Sequence, residues 1–112
     1  MVEERERRIG RNEALFREVN ERIERVTEAL QVGPEELSIL CECGDESCFE
    51  HVDVSIAEYE RVRSRSTWFF VRPGHEHAEV EEVVERQEAY HVVRKHEGPA
   101  AAQARELDPR DD

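Results

Sequence analysis

The sequence predicts an α+β fold: a long N-terminal helix, then a small antiparallel sheet with one helix, held together by a zinc ion. Three observations predict this fold. Apolar residues recur every seven positions through residues 3–31. Short runs of β-branched and aromatic residues, separated by turn residues, follow that stretch. The chain's three cysteines all lie within the eight residues 41–48, a spacing typical of a metal site.

The first element is a helix over about residues 3–31. One face carries the a and d positions of a heptad repeat: Ile9, Asn12, Phe16, Val19, Ile23, Val26 and Leu30. At about 1.5 Å per residue this helix is about 40 Å long, more than a small domain covers. Two interpretations stay open: its C-terminal half packs on its own domain, or its apolar face pairs with another helix. In the second case we expect the first half, around Ile9 and Phe16, to project furthest.

A β-hairpin and a short helix follow. The Val-Gly-Pro segment 32–34 ends the first helix. A strand over 38–41 delivers the first cysteine, and alternating apolar residues form a second strand over 52–56. These strands pair with the cysteine loop at their tip. Ser55 and Glu58 form a capping pattern, so a helix begins there and continues to about residue 65.

Three further strands complete the predicted sheet. They cover 68–71, 83–85 and 90–93, where most residues are β-branched or aromatic. The segment around 80–84 also fits a helical turn, so its assignment stays open.

The chain divides into three segments. Residues 1–32 form the amphipathic helix, residues 33–96 form a small zinc-binding α+β domain, and residues 97–112 are predicted to be a disordered tail. The tail prediction rests on a Gly-Pro-Ala-rich start and a charged end.

Charge and composition exclude several classes of protein. The net charge is −12, and residues 33–54 contain seven acidic side chains and no lysine or arginine. This distribution disfavours nucleic acid as a partner, because phosphate contacts need basic residues. The longest apolar run is 68–71, so no membrane span is expected. The charged N-terminus resembles no signal peptide, and an odd number of cysteines favours reduced thiols, so we expect a cytoplasmic protein.

The cysteine cluster is the candidate metal site. Cys41, Cys43 and Cys48 supply three thiolates, and glycine at position 44 permits the loop to turn back between them. A tetrahedral zinc site needs a fourth ligand. His51, which two residues separate from the last cysteine, and His75, in a Pro-Gly turn after a buried strand, both remain candidates. The acidic loop disfavours a nucleophilic thiol, because neighbouring carboxylates raise thiol pKa values.

The chain also resembles a group of small bacterial proteins with no assigned activity. The matching segments run over about residues 9–96: 12–21, the Cys-Glu-Cys-Gly motif 41–44 with Cys48, 58–63, the Pro-Gly-His-Glu turn 73–76, 83–85 and 92–93. The group pattern keeps the three cysteines and the Pro-Gly-His turn, and varies at the position of His51. The resemblance therefore implies that Cys41, Cys43, Cys48 and His75 bind Zn²⁺.

These observations predict a non-enzymatic, zinc-stabilised protein-interaction or regulatory module. We expect it to bind a protein partner or a second copy of itself through the N-terminal helix. The His-Glu-His segment 75–77 matches neither the H-E-x-x-H zinc motif nor the deaminase motif order. Two alternatives are a nucleic-acid or ribosome-associated zinc protein, and a thiol redox sensor or zinc enzyme.

Overall fold

The computed structural model describes residues 2–30, 36–45 and 47–110. These residues form three helices: α1 (Val2–Leu30), α2 (Ile56–Arg63) and α3 (Pro99–Glu106). They also form five strands: β1 (Glu36–Leu40), β2 (His51–Ser55), β3 (Trp68–Val71), β4 (Glu81–Arg86) and β5 (His91–Lys95). The α+β prediction is confirmed. The predicted helix stop at 32–34 lies outside the described residues.

The strands form two antiparallel sheets. β1 and β2 make a hairpin in which Leu40 lies opposite His51, so the cysteine loop is at its tip, as predicted. The second sheet has the order β3-β5-β4, with a register shift between Val83 and Glu85. The segment that also fitted a helical turn is therefore strand from Glu81 onward.

The main core lies between the hairpin, α2 and β3. Leu37 and Ile39 of β1 belong to the same buried cluster as Tyr59 and Phe70 there. The ring centroids of Tyr59 and Phe70 are 5.8 Å apart and the rings are stacked. Ser55 accepts a 3.0 Å hydrogen bond from the backbone N–H of Glu58, which confirms the predicted start of α2. None of the helices, over the described part of the chain, is long and apolar enough to cross a membrane.

The inner face of α1 is largely polar. Its buried polar residues recur at helical spacing: Glu13, Arg17, Asn20, Glu21 and Glu24. Their side chains form hydrogen bonds with polar groups of other parts of the fold, which apolar side chains could not form. The amide of Asn20 accepts a 2.8 Å bond from the N–H of Leu40 and donates a 2.9 Å bond to the carbonyl of the same residue. Buried backbone groups need such partners, so the polar face turns inward.

The expectation that the first half of α1 projects from the domain is wrong. Ile9 is 6% exposed and clusters with Val80 and Ala100, while Phe16 is half-buried. Farther along the helix, Val26 is 57% exposed. The face of α1 that packs on the domain is therefore not the predicted a/d face.

The predicted disordered tail is wrong for residues 99–106, which form α3. Ala100, Ala101 and Ala104 are buried, and α3 packs closely on α1. A Cβ added at Gly10 would lie 3.1 Å from the Cα of Ala100. Small residues on both helices permit this approach, and proline suits the first helical turn. Alanine has high helix propensity, which outweighs the composition that indicated disorder. Residues 111–112 lie outside the described residues.

Candidate metal centre

Four side chains from two loops converge at the tip of the hairpin. Cys41, Cys43 and Cys48 come from the loop between β1 and β2, and His75 comes from the turn after β3. Their ligand atoms all lie within 4.8 Å of one another. The Nδ1 atom of His75 is 3.6 Å from the Sγ atoms of both Cys41 and Cys48.

The two sulfur–nitrogen distances of 3.6 Å match a tetrahedral metal site. With Zn–S bonds of about 2.3 Å and a Zn–N bond of about 2.0–2.1 Å, a tetrahedral angle puts sulfur and nitrogen about 3.6 Å apart. The cluster can therefore hold a metal ion. His51 lies on β2 with its Nδ1 atom 3.4 Å from the hydroxyl of Ser38, and it is not part of the cluster.

The cysteine loop turns at Gly44, where α1 leaves no space for a side chain. Gly44 has φ of +79°, and a Cβ there would lie 2.8 Å from the Cγ atom of Glu13. Asn12 donates a 3.1 Å hydrogen bond to the carbonyl of Gly44. Asn12 therefore holds the metal loop against α1, a role that its place in a heptad did not predict.

Each cysteine sulfur receives a hydrogen bond from a backbone N–H. Arg72 donates to Cys41 at 3.2 Å, Asp45 donates to Cys43, and Glu50 donates to Cys48. Such donors stabilise thiolate charge and orient the ligands around a metal. The fold is therefore arranged for sulfur atoms in the charged, metal-binding form.

The thiols share their protons unequally in the absence of metal. The hydrogen bond from the Cys41 thiol, followed by smaller effects that include the N–H of Asp45, lowers the pKa of Cys43 to about 5. The same hydrogen bond, with burial, raises the pKa of Cys41. Burial also raises the pKa of Cys48. A bound dication removes this competition, because it stabilises all three thiolates together.

Glu42 and His77 support the loop from two sides, and sequence reasoning did not identify either role. The buried carboxylate of Glu42 accepts hydrogen bonds from the N–H of Phe70 at 2.9 Å and the amide of Asn20 at 2.8 Å. The Nε2 atom of His77 lies 2.7 Å from the carbonyl oxygen of Cys43. The one sequence signal for Glu42 was an acidic residue between two cysteines. A carboxylate is buried only where hydrogen-bond partners satisfy its charge.

The donor set favours a structural role for the ion. Three thiolates and one imidazole fill a tetrahedral shell, whereas catalytic zinc sites keep a position for water. Glu76, which follows the histidine ligand, lies 3.4 Å from the Nδ1 atom of His91, so its carboxylate has a partner on β5.

The chain was also compared with protein-family models, with curated proteins and with solved structures, and it matches none of them. The resemblance to a group of small bacterial proteins therefore stays a prediction. The assignment of the metal centre is supported by the geometry of its four side chains.

Proposed function

We propose that the protein is a non-enzymatic, zinc-stabilised interaction or regulatory module of the cytoplasm, which binds a protein partner or a second copy through α1. The closed set of three cysteines and one histidine is the observation that carries this proposal. Thiolate and imidazole ligands suit zinc, whereas magnesium and calcium prefer oxygen ligands.

The position of the ion supports a structural role. The cysteines belong to the two-stranded hairpin, and His75 follows the edge strand of the other sheet. One ion therefore joins two sheets that come from separate parts of the chain. A structural zinc site supplies apparent folding free energy on the order of 10 kcal/mol at neutral pH, which is large for a domain of this size.

The outer face of α1 supports the interaction role. Leu15, Val19 and Val26 are 56%, 36% and 57% exposed. Their spacings of four and seven residues put them on one side of the helix. Exposed apolar residues grouped in this way mark association surfaces. This stripe shares Val19 and Val26 with the predicted a/d face.

Two measurements test the proposal. Elemental analysis after reducing, chelator-free purification should give one zinc per chain, and folded protein without zinc would contradict the metal assignment. The triple variant Leu15→Glu/Val19→Glu/Val26→Glu should lose self-association in sedimentation and partner capture from cytosol. The control Gln87→Glu adds negative charge in the exposed turn between β4 and β5 and should behave like the wild type. Unchanged association of the triple variant would exclude α1 as the binding surface.

The nucleic-acid alternative has one supporting observation, because several arginines of α1 are exposed. A salt-dependent mobility shift of duplex DNA or RNA, abolished by Arg22→Glu/Arg25→Glu, would replace the protein-interaction proposal. We expect no shift, because the whole molecule carries a charge of −12 and repels phosphate.

A further inference from the structure

An apolar groove lies between α1 and α3. Its volume is about 360 Å³, and it is lined by Arg11, Ala14, Leu15, Glu18 and Leu107. Leu15 is 56% exposed and Leu107 is 42% exposed, so the groove floor is aliphatic and open to solvent. Neither leucine belongs to the core clusters of the described residues.

The exposed charged side chains of α1 are mostly arginines although the protein is acidic, and the groove itself is lined by Arg11 and Glu18. The exposed charged residues of α1 with described side chains are Glu4, Arg5, Arg7, Arg8, Arg11, Glu18, Arg22 and Arg25. The acidic residues Glu13, Glu21 and Glu24 point inward and are buried. Packing therefore buries, among the described side chains of this nearly neutral helix, three acidic residues and only one arginine, Arg17. It leaves mostly arginines exposed, although Arg5 pairs with Glu79 and Arg22 with Glu18.

The cysteine loop has the complementary properties. Phe49 is 75% exposed, more than any other large hydrophobic side chain in the described residues. Exposed carboxylates of Asp45, Glu50 and Asp53 lie near it in sequence. Residues 33–54 contain no lysine or arginine. The loop thus presents an aromatic side chain among acidic residues of the same segment, with Arg72 bonded to the carbonyl of His51 beside it.

We propose that Phe49 of one copy enters the α1–α3 groove of a second copy, where the acidic loop faces the arginines of α1. This inference rests on the proposed function and specifies its partner. Each chain carries one groove and one loop, so a two-fold pairing uses both contacts reciprocally. Aromatic anchors that fill apolar pockets commonly provide most of the binding energy of an interface.

The metal centre prepares the loop for this contact. Phe49 directly follows the ligand Cys48, and the N–H of Glu50 donates to the same sulfur. A bound ion therefore fixes the backbone on both sides of Phe49 before association. Fixing a binding segment in advance lowers the entropy lost on binding, so association should depend on zinc.

Sedimentation of the zinc-loaded protein tests the proposal. We expect a monomer–dimer equilibrium that weakens as sodium chloride is raised, because the charge pairs are exposed and screened. Leu15→Glu, Leu107→Gln and Phe49→Ser should each weaken it by about tenfold or more. Ala89→Glu is the matched control, because it puts a glutamate at an exposed residue in the turn between β4 and β5, outside the groove, the loop and the α1 stripe. An equimolar mixture of Leu15→Glu and Phe49→Ser should regain part of the association, since one intact contact remains.

Several results would overturn the inference. The inference is wrong if the wild-type protein is monomeric at every concentration. It is also wrong if Phe49→Ser associates as strongly as the wild type. If Val26→Glu abolishes association and Phe49→Ser does not, α1 pairs with another helix: the proposed function then stands and this contact does not. Zinc content and circular dichroism of each variant show that the fold is intact. Leu107→Gln gives a second variant of the groove should Leu15→Glu fail to fold.

Discussion

Lys95 is enclosed between two carboxylates in the interior. Its ammonium group bonds to Glu13 of α1 and Glu81 of β4, and all three side chains are fully buried. One cation cannot neutralise two buried anions. Burial, with a further contribution from Glu81, raises the pKa of Glu13 well above its ordinary 4.5, although Lys95 opposes the shift.

Glu13 should make the stability of the protein pH-dependent. Above pH 4.5 the unfolded chain releases this proton, whereas the folded protein keeps it up to the raised pKa. The native state binds more protons in that window, so stability falls as pH rises. Glu13→Gln removes this contribution and should flatten the dependence of urea midpoint on pH. The exposed control Glu18→Gln should keep the wild-type slope, and equal slopes for all three proteins would refute the assignment.

His75, rather than His51, should complete the metal site. His75→Ala should weaken metal binding by more than the roughly 10–100-fold that loss of an outer-shell partner costs. In the cobalt-substituted protein the visible bands of tetrahedral cobalt should then be lost. His51→Ala should keep those bands, because its ring lies beside Ser38 and outside the cluster. The reverse pattern would move the fourth ligand to His51.

The sequence predicted which side chains meet at the metal better than it predicted what supports them. Three cysteines in one loop and a Pro-Gly-His turn are local patterns. Asn12 and Glu42 act through contacts to residues 32 and 28 positions away. Sequence periodicity does not indicate contacts between such distant residues, so these roles could be identified only from the three-dimensional structure.

At the scale of the elements, α1 shows why helical periodicity predicted its existence but not its orientation. Its apolar stripe and its polar stripe both recur at helical spacing, and either can face a domain. The choice depends on the neighbours. The edge of β1 needs the amide of Asn20, and the carbonyls of Ser66 and Ala104 accept hydrogen bonds from Arg17. The polar stripe satisfies these groups and therefore faces inward.

The helix α3 should be part of the folded unit. Ala101 is fully buried, so Ala101→Leu should overpack its contact and destabilise the protein by about 1–3 kcal/mol. The neighbouring Ala102 is exposed, and Ala102→Leu should change stability by less than about 0.5 kcal/mol. Urea unfolding at equal zinc content compares the two. Equal stability of both variants would contradict the close packing at Ala101.

Across the whole molecule, removal of the metal should unfold more than the cysteine loop. The ion joins the two sheets, and the loop is in contact with α1 through Asn12 and Gly44. Chelation, or Cys43→Ser, should therefore shift the fluorescence of half-buried Trp68 to longer wavelength and reduce helical circular dichroism in one transition. A Tm unchanged by chelator would show that the ion is incidental to stability.

The fold class was predictable because strand and helix patterns are local, whereas the ends of the chain were not. The alanine side chains after Pro99 are small, so the composition of this segment does not indicate that it packs in a core. It is ordered because Gly10 and Ala100 allow two backbones to approach. A contact between small residues so far apart leaves no trace in hydrophobic periodicity.

That contact between the first and last helices has a consequence for how the chain folds. The bond from Lys95 to Glu13 spans 82 residues, and the bond from Arg17 to the carbonyl of Ala104 spans 87. Contacts of such sequence separation slow folding, because a long loop must close before they stabilise anything. On the ribosome, α1 is made before α3 and must wait, with its charged inner face in water, until the residues up to α3 have emerged. Docking of α1 should therefore follow, rather than accompany, the synthesis of the residues between the two helices.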